Sequence, residues 1–335
     1  MIALLIAAAA IAPAQTDFAL VLDGARASAG LRAFLTEAGR HAPSLAPDSV
    51  GRSLRASIGV DLLDEQPAWG LAKKGARAMV LIHHAAGLSA PLADVRSSRR
   101  ALHAWLQAPD RVGKIARGRL LTASGRNAKA LLAMLEHPKP MQPGQGPVWL
   151  YARLAEPFRS TLLSIDASAQ GLTARGTVAA NDAVLAGSAP AQCEGAPKGC
   201  LRAGLGPAGR AALAIALRAF GRDAPQTDAQ RVAIALEGID ARLLTNEGSW
   251  RAALRFSTAF DGPPAPGPAL AGQLDLTAVD VALARLTPLD ALRGSVAAGA
   301  YAAHLLYGPL LRHAGPLTLT GDGDRIELRL PLTSP

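Results

Sequence analysis

Residues 317–330 read Leu-Thr-Leu-Thr-Gly-Asp-Gly-Asp-Arg-Ile-Glu-Leu-Arg-Leu, with apolar and polar side chains alternating on both sides of a Gly/Asp turn. Alternation with a period of two is typical of strands with one buried face, and the turn joins two such strands into a β-hairpin. A similar hairpin is predicted in the first half, where Leu163 and Ile165 lead through Ser168–Gly171 to Leu172. Each hairpin should lay one face on a helical layer, which favours the α+β class.

Two stretches of the chain resemble each other. Gly39-Arg-His-Ala-Pro43 is matched by Gly221-Arg-Asp-Ala-Pro225, where each glycine stands at an expected helix C-cap. Further matches pair Leu31 and Leu35 with Leu213 and Leu217, Leu62-Leu63 with Leu243-Leu244, and Trp69 with Trp250. We interpret the matches as an internal duplication, with a first α+β repeat over residues 15–181 and a second over residues 182–335. Chance similarity in a chain rich in Ala and Leu is the alternative.

The remaining periodicities predict further elements. Strands are expected at Phe18–Leu22, Ala78–His83, Leu120–Ala123, Val148–Leu154 and Trp250–Phe260. Helices are expected near Ala27–Ala38, Ser98–Gln107, Asn127–Leu135, Ala208–Ala219 and Ser295–His313. The segment Ser53–Asp64 fits either a helix or a strand. Strands and helices do not alternate strictly, so an α+β fold with a mainly antiparallel sheet is favoured over a parallel doubly wound sheet.

The first residues have the features of a secretory signal peptide. Ile2 to Ile11 are all apolar, but this run is too short to cross a bilayer as a helix. Ala12-Pro13-Ala14 supplies the small residues of a signal peptidase site, so residues 1–14 are expected to be removed. The alternative is a buried N-terminal helix or strand. No later segment has a transmembrane pattern, so the sequence predicts an exported bacterial protein, periplasmic or secreted.

Basic residues are concentrated between Arg96 and Lys129. This stretch contains nine arginines and lysines but only one acidic residue, Asp110. The chain as a whole has a net charge of +9. In an exported protein this charge suits a membrane surface, envelope phosphates or acidic glycans rather than nucleic acid. The predicted anion-binding surface consists of Arg96, Arg99, Arg100, His103, Arg111, Lys114, Arg117 and Arg119. The alternative is a solvated, arginine-rich face without a ligand.

The helix expected in this basic stretch should have two distinct faces. Arg96, Arg99, Arg100 and His103 recur at a spacing that puts them on one side. Leu102, Trp105 and Leu106 would then pack inward. A basic helix face of this kind can hold lipid phosphates or acidic glycans.

The only cysteines are Cys193 and Cys200. In an oxidising compartment such a close pair predicts a structural disulfide. The enclosed loop is short, so its closure entropy contributes about 2.5 kcal/mol at most. Two ligands alone do not make a zinc site, and the sequence predicts neither a metal nor a cofactor.

Other candidate motifs have simpler interpretations. Gly204, Gly206 and Gly209 fit the dinucleotide-binding spacing, but a glycine-rich turn before a helix beginning at Pro207 is the better interpretation. Other polar residues are assigned to ordinary surface or turn positions: His83, His84, Asp61, Asp64, Glu65, Asp322 and Asp324. The chain has no G-x-S-x-G, S-x-x-K or P-loop motif. This favours a non-catalytic protein, although catalytic residues scattered along the chain are not excluded.

From Ile58-Gly59-Val60-Asp61 to Trp69-Gly70 the chain resembles a family of exported bacterial proteins without an assigned function. The resemblance implies an exported, duplicated α+β protein and no particular activity. In the second half Arg251 follows Trp250, where the first half has Gly70. Our leading hypothesis is therefore an envelope protein that binds an anionic or amphipathic component through its basic surface. The alternatives are a lipid or hydrophobe carrier with a cleft near Ser295–His313, and a hydrolase with scattered catalytic residues.

Overall fold

The computed structural model describes residues 17–63, 68–72, 75–82, 85–136, 148–154, 156–186, 199–212, 238–246, 249–257, 268–284 and 295–332. The chain forms two compact units. The first comprises Met1–Arg153 and Thr161–Leu172, and the second comprises Leu154–Ser160 and Thr173–Pro335. Each unit combines helices with antiparallel strands, so the predicted α+β class with a mainly antiparallel sheet is confirmed.

The strands of the first unit are β1 (Phe18–Asp23), β2 (Ala76–Ile82), β3 (Ala85–Pro91), β4 (Arg111–Ala116), β5 (Arg119–Gly125) and β6 (Val148–Arg153). They lie in the order β6-β1-β2-β3-β5-β4, and every neighbouring pair is antiparallel. The next two strands, β7 (Phe158–Ser168) and β8 (Gly171–Ala180), are divided between the units. The strands predicted at β1, β2, β5 and β6 are confirmed. β3 and β4 were not predicted. The small residues of β3 have low β propensity.

Four helices accompany these strands: α1 (Gly24–His41), α2 (Pro47–Ile58), α3 (Val95–Trp105) and α4 (Ala128–Glu136). The ambiguous segment Ser53–Asp64 is thus helical as far as Ile58. The helices α3 and α4 pack on opposite faces of the sheet. A Cβ on Gly113 of β4 would meet Leu102 of α3, whereas a Cβ on Gly87 of β3 would meet Leu131 of α4.

The second unit contains β9 (Gly199–Gly204), β10 (Gly238–Asn246), β11 (Ser249–Ser257), β12 (Leu270–Leu274), β13 (Leu317–Asp322) and β14 (Arg325–Pro331). Their order is β11-β10-β9-β12-β13-β14, again antiparallel throughout. Its helices are α5 (Leu276–Leu283), α6 (Ser295–His313) and a helical segment over residues 207–212. In the β13–β14 pair Leu319 lies opposite Leu328, and Gly323 has a φ of +58° in the turn.

Two details of the predicted repeat do not correspond to equivalent elements. Trp69 lies in a short 3-10 turn, whereas Trp250 lies in strand β11. Leu62-Leu63 follow α2 in a turn, whereas Leu243-Leu244 lie in β10. These residues match in sequence only, because the surrounding residues place them in different backbone conformations.

The sequence predicted that Gly39 caps the C-terminus of α1, but the helix continues to His41. The glycine is needed for packing instead. A Cβ at this position would lie 2.6 Å from the Cα of Ala46, just before α2. The close approach of the two helices therefore depends on the missing side chain.

Several predictions fall outside the described residues. They concern the signal peptide, His83, His84, Asp64, Glu65, Gly221 and Cys193. Cys200 itself is buried in β9, and its disulfide with Cys193 stays a prediction. Within the described part of the chain, no helix combines the length and the apolar character needed to cross a membrane.

Candidate functional site

The basic helix α3 begins at a well-defined N-cap. The Asp94 carboxylate accepts hydrogen bonds from the Arg96 backbone N–H at 2.8 Å and from the Ser97 hydroxyl at 2.5 Å. The bond from Arg96 satisfies a backbone N–H that the first helical turn leaves without an internal partner. The bond from Ser97, followed by the Arg96 N–H, lowers the pKa of Asp94, and the charge of Arg100 contributes further.

The inner face of α3 is fixed by Ser98, Leu102 and Trp105, which are all buried. The Trp105 indole N–H donates to the Val112 carbonyl at 3.3 Å, and the Ser98 hydroxyl donates to the Trp69 carbonyl. Leu106 was expected to pack inward with them, but it follows the last helical residue and its side chain is 42% exposed. The buried residues of the inner face and the hydrogen bonds of Trp105 and Ser98 leave α3 little freedom to rotate about its axis.

The outer face of α3 carries Arg96, Arg99, Arg100 and His103, and all four are exposed. All four residues lie within α3, so the helical spacing from which a shared face was predicted applies to them. Among the described residues, the guanidinium groups of Arg96 and Arg99 have no hydrogen-bond or ion-pair partner. His103 lies near the Gln107 amide, at 3.5 Å between Nε2 and Nε2.

The other four residues of the predicted surface do not all join this face. Lys114 forms an ion pair with Glu136 of α4, on the opposite face of the sheet from α3. This follows from strand geometry, because Gly113 points to α3 and consecutive side chains alternate. Arg119 is also on the α4 side, where its Nε donates to the Ser89 hydroxyl at 2.8 Å.

Arg119 is a structural residue rather than part of an open surface. Its Nη2 also donates to the Ser89 carbonyl at 3.0 Å, and burial lowers the pKa of the guanidinium. Arg117 is exposed in the turn between β4 and β5, with a φ of +51°. The eight predicted residues are thus divided between two faces and a turn.

Arg111 does belong to the α3 side. Its guanidinium carbon lies 4.1 Å from the centroid of the Trp105 ring, which is the geometry of a cation–π contact. Trp105 meets Trp69 edge-on, with ring centroids 6.2 Å apart and an interplanar angle of 67°. The two rings leave no room for a side chain at Gly59, where a Cβ would lie 2.8 Å from each.

Gly59, Trp69 and Gly70 support α3 from beneath. Gly59, with a φ of +86°, ends α2, and Trp69 has the unusual φ of +75°. The Gly70 carbonyl accepts from the backbone N–H groups of Ala93 and Asp94 at 2.8 and 2.9 Å. The turn at Trp69–Gly70 therefore holds the N-terminus of the basic helix in place.

Backbone atoms of a neighbouring segment fill the space beside the glycine motif of the second unit. Cβ atoms on Gly206 and Gly209 would lie 2.2 and 2.4 Å from the carbonyl oxygens of Ala183 and Val184. The Ala208 N–H, at the start of the helical segment, donates to the Ala183 carbonyl at 3.0 Å. The space and the donor that a pyrophosphate would need are both taken, which supports the interpretation as a turn.

Asp61 was assigned to an ordinary surface or turn position, but its side chain is only 11% exposed. Its carboxylate accepts from the Leu63 N–H at 2.9 Å and forms an ion pair with Arg55 at 3.2 Å. A Cβ on Gly51 would lie 2.0 Å from this carboxylate. The carboxylate is thus held against α2.

A second polar cluster was missed by the sequence analysis. Asp280 of α5 is buried, and its carboxylate contacts His304 Nδ1 at 2.9 Å and the Arg312 guanidinium. A carboxylate–histidine pair is one part of a hydrolytic triad. Among the described residues no hydroxyl or thiol is hydrogen-bonded to His304. Asp280 lies on α5, whereas His304 and Arg312 lie about two turns apart on α6, and the three form no motif that would have revealed them.

The lowered pKa of Asp94 predicts an acid-sensitive step in stability. Since the folded-state pKa lies below the ordinary value of 3.8, the cap stabilises fully above that value and its contribution is lost as the pH falls through the folded-state pKa. Asn at this position still caps a helix but does not titrate. We expect the stability advantage of the wild type over Asp94→Asn to shrink below pH 3.8, as measured by urea unfolding between pH 7 and pH 2. Parallel pH curves for the two proteins would contradict this.

Comparisons with known proteins add little to this geometry. No family model matches the chain, and no curated protein matches it either. Two solved structures show weak similarity, crystal forms IV and III of TP0453, with TM-scores of 0.30 and 0.29. Both are 10% identical to this chain, and the alignments cover 50% of it and 78% of the other chain. A likeness at this level supports no statement about fold or function.

Proposed function

We propose that this protein is an exported protein of the bacterial cell envelope, periplasmic or secreted, that binds an anionic or amphipathic component without catalysing a reaction. Its binding surface is the outer face of α3, with Arg96, Arg99, Arg100 and His103. The observation that carries the proposal is the exposure of these arginines on a helix whose inner face is locked. Arg96 and Arg99 have no partner among the described residues.

The chemistry of the guanidinium group explains why an anion fits this face. Its planar fork donates two parallel hydrogen bonds to a phosphate or carboxylate, and it stays charged at any physiological pH. Because Arg96, Arg99 and Arg100 lie within about one helical turn, their fields add at the same patch. Arg111, stacked on Trp105, adds a further positive charge on the same side of the sheet.

Charge reversal on this face tests the proposal. We expect Arg99→Glu combined with Arg100→Glu to abolish binding to anionic liposomes, measured by co-sedimentation at low salt. Wild-type binding should weaken as salt is added, since exposed charges are screened. The matched control, Arg153→Glu with Arg325→Glu, changes the net charge equally at two other exposed positions and should bind far better. Unchanged, salt-insensitive binding by the α3 variant would disprove the proposal.

The internal duplication is part of the same proposal. In the first unit the first strand, β1, pairs with the next strand, β2, and with β6. In the second unit β9 pairs in the same way with β10 and β12. The orders β3-β2-β1-β6 and β11-β10-β9-β12 correspond, which supports two related halves although the tryptophan match fails.

A lipid or hydrophobe carrier is the second candidate function. It is favoured by α6, where Leu305 and Leu306 are 59% and 51% exposed on a helix whose exposed face also includes Ala302 and Pro309. The liposome experiment separates the two functions. A surface binder sediments with the vesicles, whereas a carrier removes labelled lipid from them and stays in the supernatant.

A further inference from the structure

Two exposed apolar side chains lie at the border between the outer and the inner face of α3. Val95, at the start of the helix, is 44% exposed, and Leu106, just after its end, is 42% exposed. They are separated by close to three turns of an α-helix, so they project from the same flank. Arg99 lies between them on that flank, about 40° around the axis from Val95. The flank therefore presents an arginine between two exposed apolar side chains.

These apolar side chains have no way to turn inward. Leu102, about 20° around the axis from Val95, and Trp105 already fill the inner face of α3 against β4, with Leu102 close to Gly113 and the Trp105 indole bonded to Val112. At the other end, the Asp94 cap and the Trp69–Gly70 turn fix the helix N-terminus. Val95 and Leu106 therefore remain at the surface as long as the first unit is folded.

We infer that the partner of this face is an anionic lipid bilayer, on which α3 lies parallel to the membrane plane. Arg96, Arg99 and Arg100 contact the headgroup phosphates, while Val95 and Leu106 enter the boundary with the acyl chains. Basic residues beside apolar ones are the composition of helices that bind in the interface. The helix is about 16 Å long, which suits lying on the bilayer and is too short to cross it.

The apolar flank favours lipid over the other anionic partners. An acidic glycan or a soluble phosphate offers hydrogen-bond acceptors to the arginines but no apolar layer for Val95 and Leu106. A bilayer offers both at neighbouring depths. This inference rests on the proposed function, since it names the chemical class of ligand for the same surface.

The test removes the apolar side chains and keeps every charge. We expect Val95→Ser combined with Leu106→Ser to bind vesicles of phosphatidylcholine and phosphatidylglycerol about tenfold more weakly than the wild type, since burial of these side chains is lost. Binding of the same variant to soluble polyphosphate should be unchanged. The matched control, Val281→Ser with Leu201→Ser, removes the same two side-chain types at exposed positions of the second unit and should bind vesicles normally.

A second variant reports insertion directly. In Leu106→Trp the new indole should be quenched by lipids brominated in the acyl chain, beyond any quenching seen in the wild type. If the serine variant binds vesicles like the wild type and the new indole is not quenched, the lipid inference is wrong. If the Arg99→Glu and Arg100→Glu protein also binds normally, the proposed function itself fails. If only the arginine variant loses binding, Val95 and Leu106 do not insert into the bilayer. The lipid inference is then wrong, and the surface binds anions by electrostatic attraction alone.

Discussion

Arg77→Ala is expected to lower the free energy of unfolding by about 4 kcal/mol, because it empties a large buried site and removes the guanidinium donor to the Ala72 carbonyl. Arg77 lies in β2 and is only 1% exposed. Its guanidinium donates to the Leu62 carbonyl at 3.4 Å and to the Ala72 carbonyl at 3.2 Å. It thus ties both ends of the segment that includes Trp69 to the sheet.

Urea unfolding followed by tryptophan fluorescence measures this effect. Three of the four tryptophans, Trp69, Trp105 and Trp149, lie in the first unit and report on its structure. Arg77→Lys keeps the charge and most of the side-chain volume but lacks the fork, so an intermediate loss is expected. Arg153→Ala, at an exposed position, should change the stability by less than about 0.5 kcal/mol. A loss below about 1 kcal/mol for Arg77→Ala would contradict this, because it would mean that the emptied site closes and the Ala72 carbonyl finds another donor at little cost.

Gly59→Ala should cost about 3 kcal/mol, for two separate reasons. The residue has a φ of +86°, and an L-residue in the left-handed region costs about 1–2 kcal/mol. The new methyl group would also lie 2.8 Å from the rings of Trp69 and Trp105, and overpacking of this kind costs about 1–3 kcal/mol.

Gly118 provides the matched control. It has a φ of +71°, yet a Cβ there would have no neighbour within 4 Å. Gly118→Ala should therefore show the backbone cost alone. The difference between the two variants, measured by thermal or urea unfolding with near-UV circular dichroism, gives the packing contribution of the tryptophan pair. Equal losses would mean that the rings move aside without cost.

Local patterns predicted the regular elements well where the side chains alternate or recur clearly. The strands β1, β2, β5 and β6 follow apolar runs, and α3 follows its arginine periodicity. Strand β3 escaped prediction because Ala, Gly and Ser dominate it, and its place between β2 and β5 depends on pairing. The predicted end of α1 was also wrong, because Gly39 serves the contact with Ala46 rather than a cap.

For the candidate site as well, local patterns predicted some features, whereas tertiary contacts decided the others. Arg96, Arg99, Arg100 and His103 could be assigned to one face from spacing alone, since helix geometry determines which residues are neighbours. Charge density along the chain could not separate them from Lys114 and Arg119. A strand sends consecutive side chains to opposite faces, and only the positions of α3 and α4 decide which face is covered by which helix.

The amino-acid sequence by itself determined the class of fold, the basic character of α3 and the identity of most of its inner and outer residues, because these depend on backbone periodicity over a few turns. The tertiary structure decided which basic residues share a surface and which are paired, as Lys114 is with Glu136. It also decided that Leu106 stays exposed and that Asp280 meets His304 and Arg312. These outcomes depend on contacts between residues distant in the chain, and no local pattern contains the distances between them.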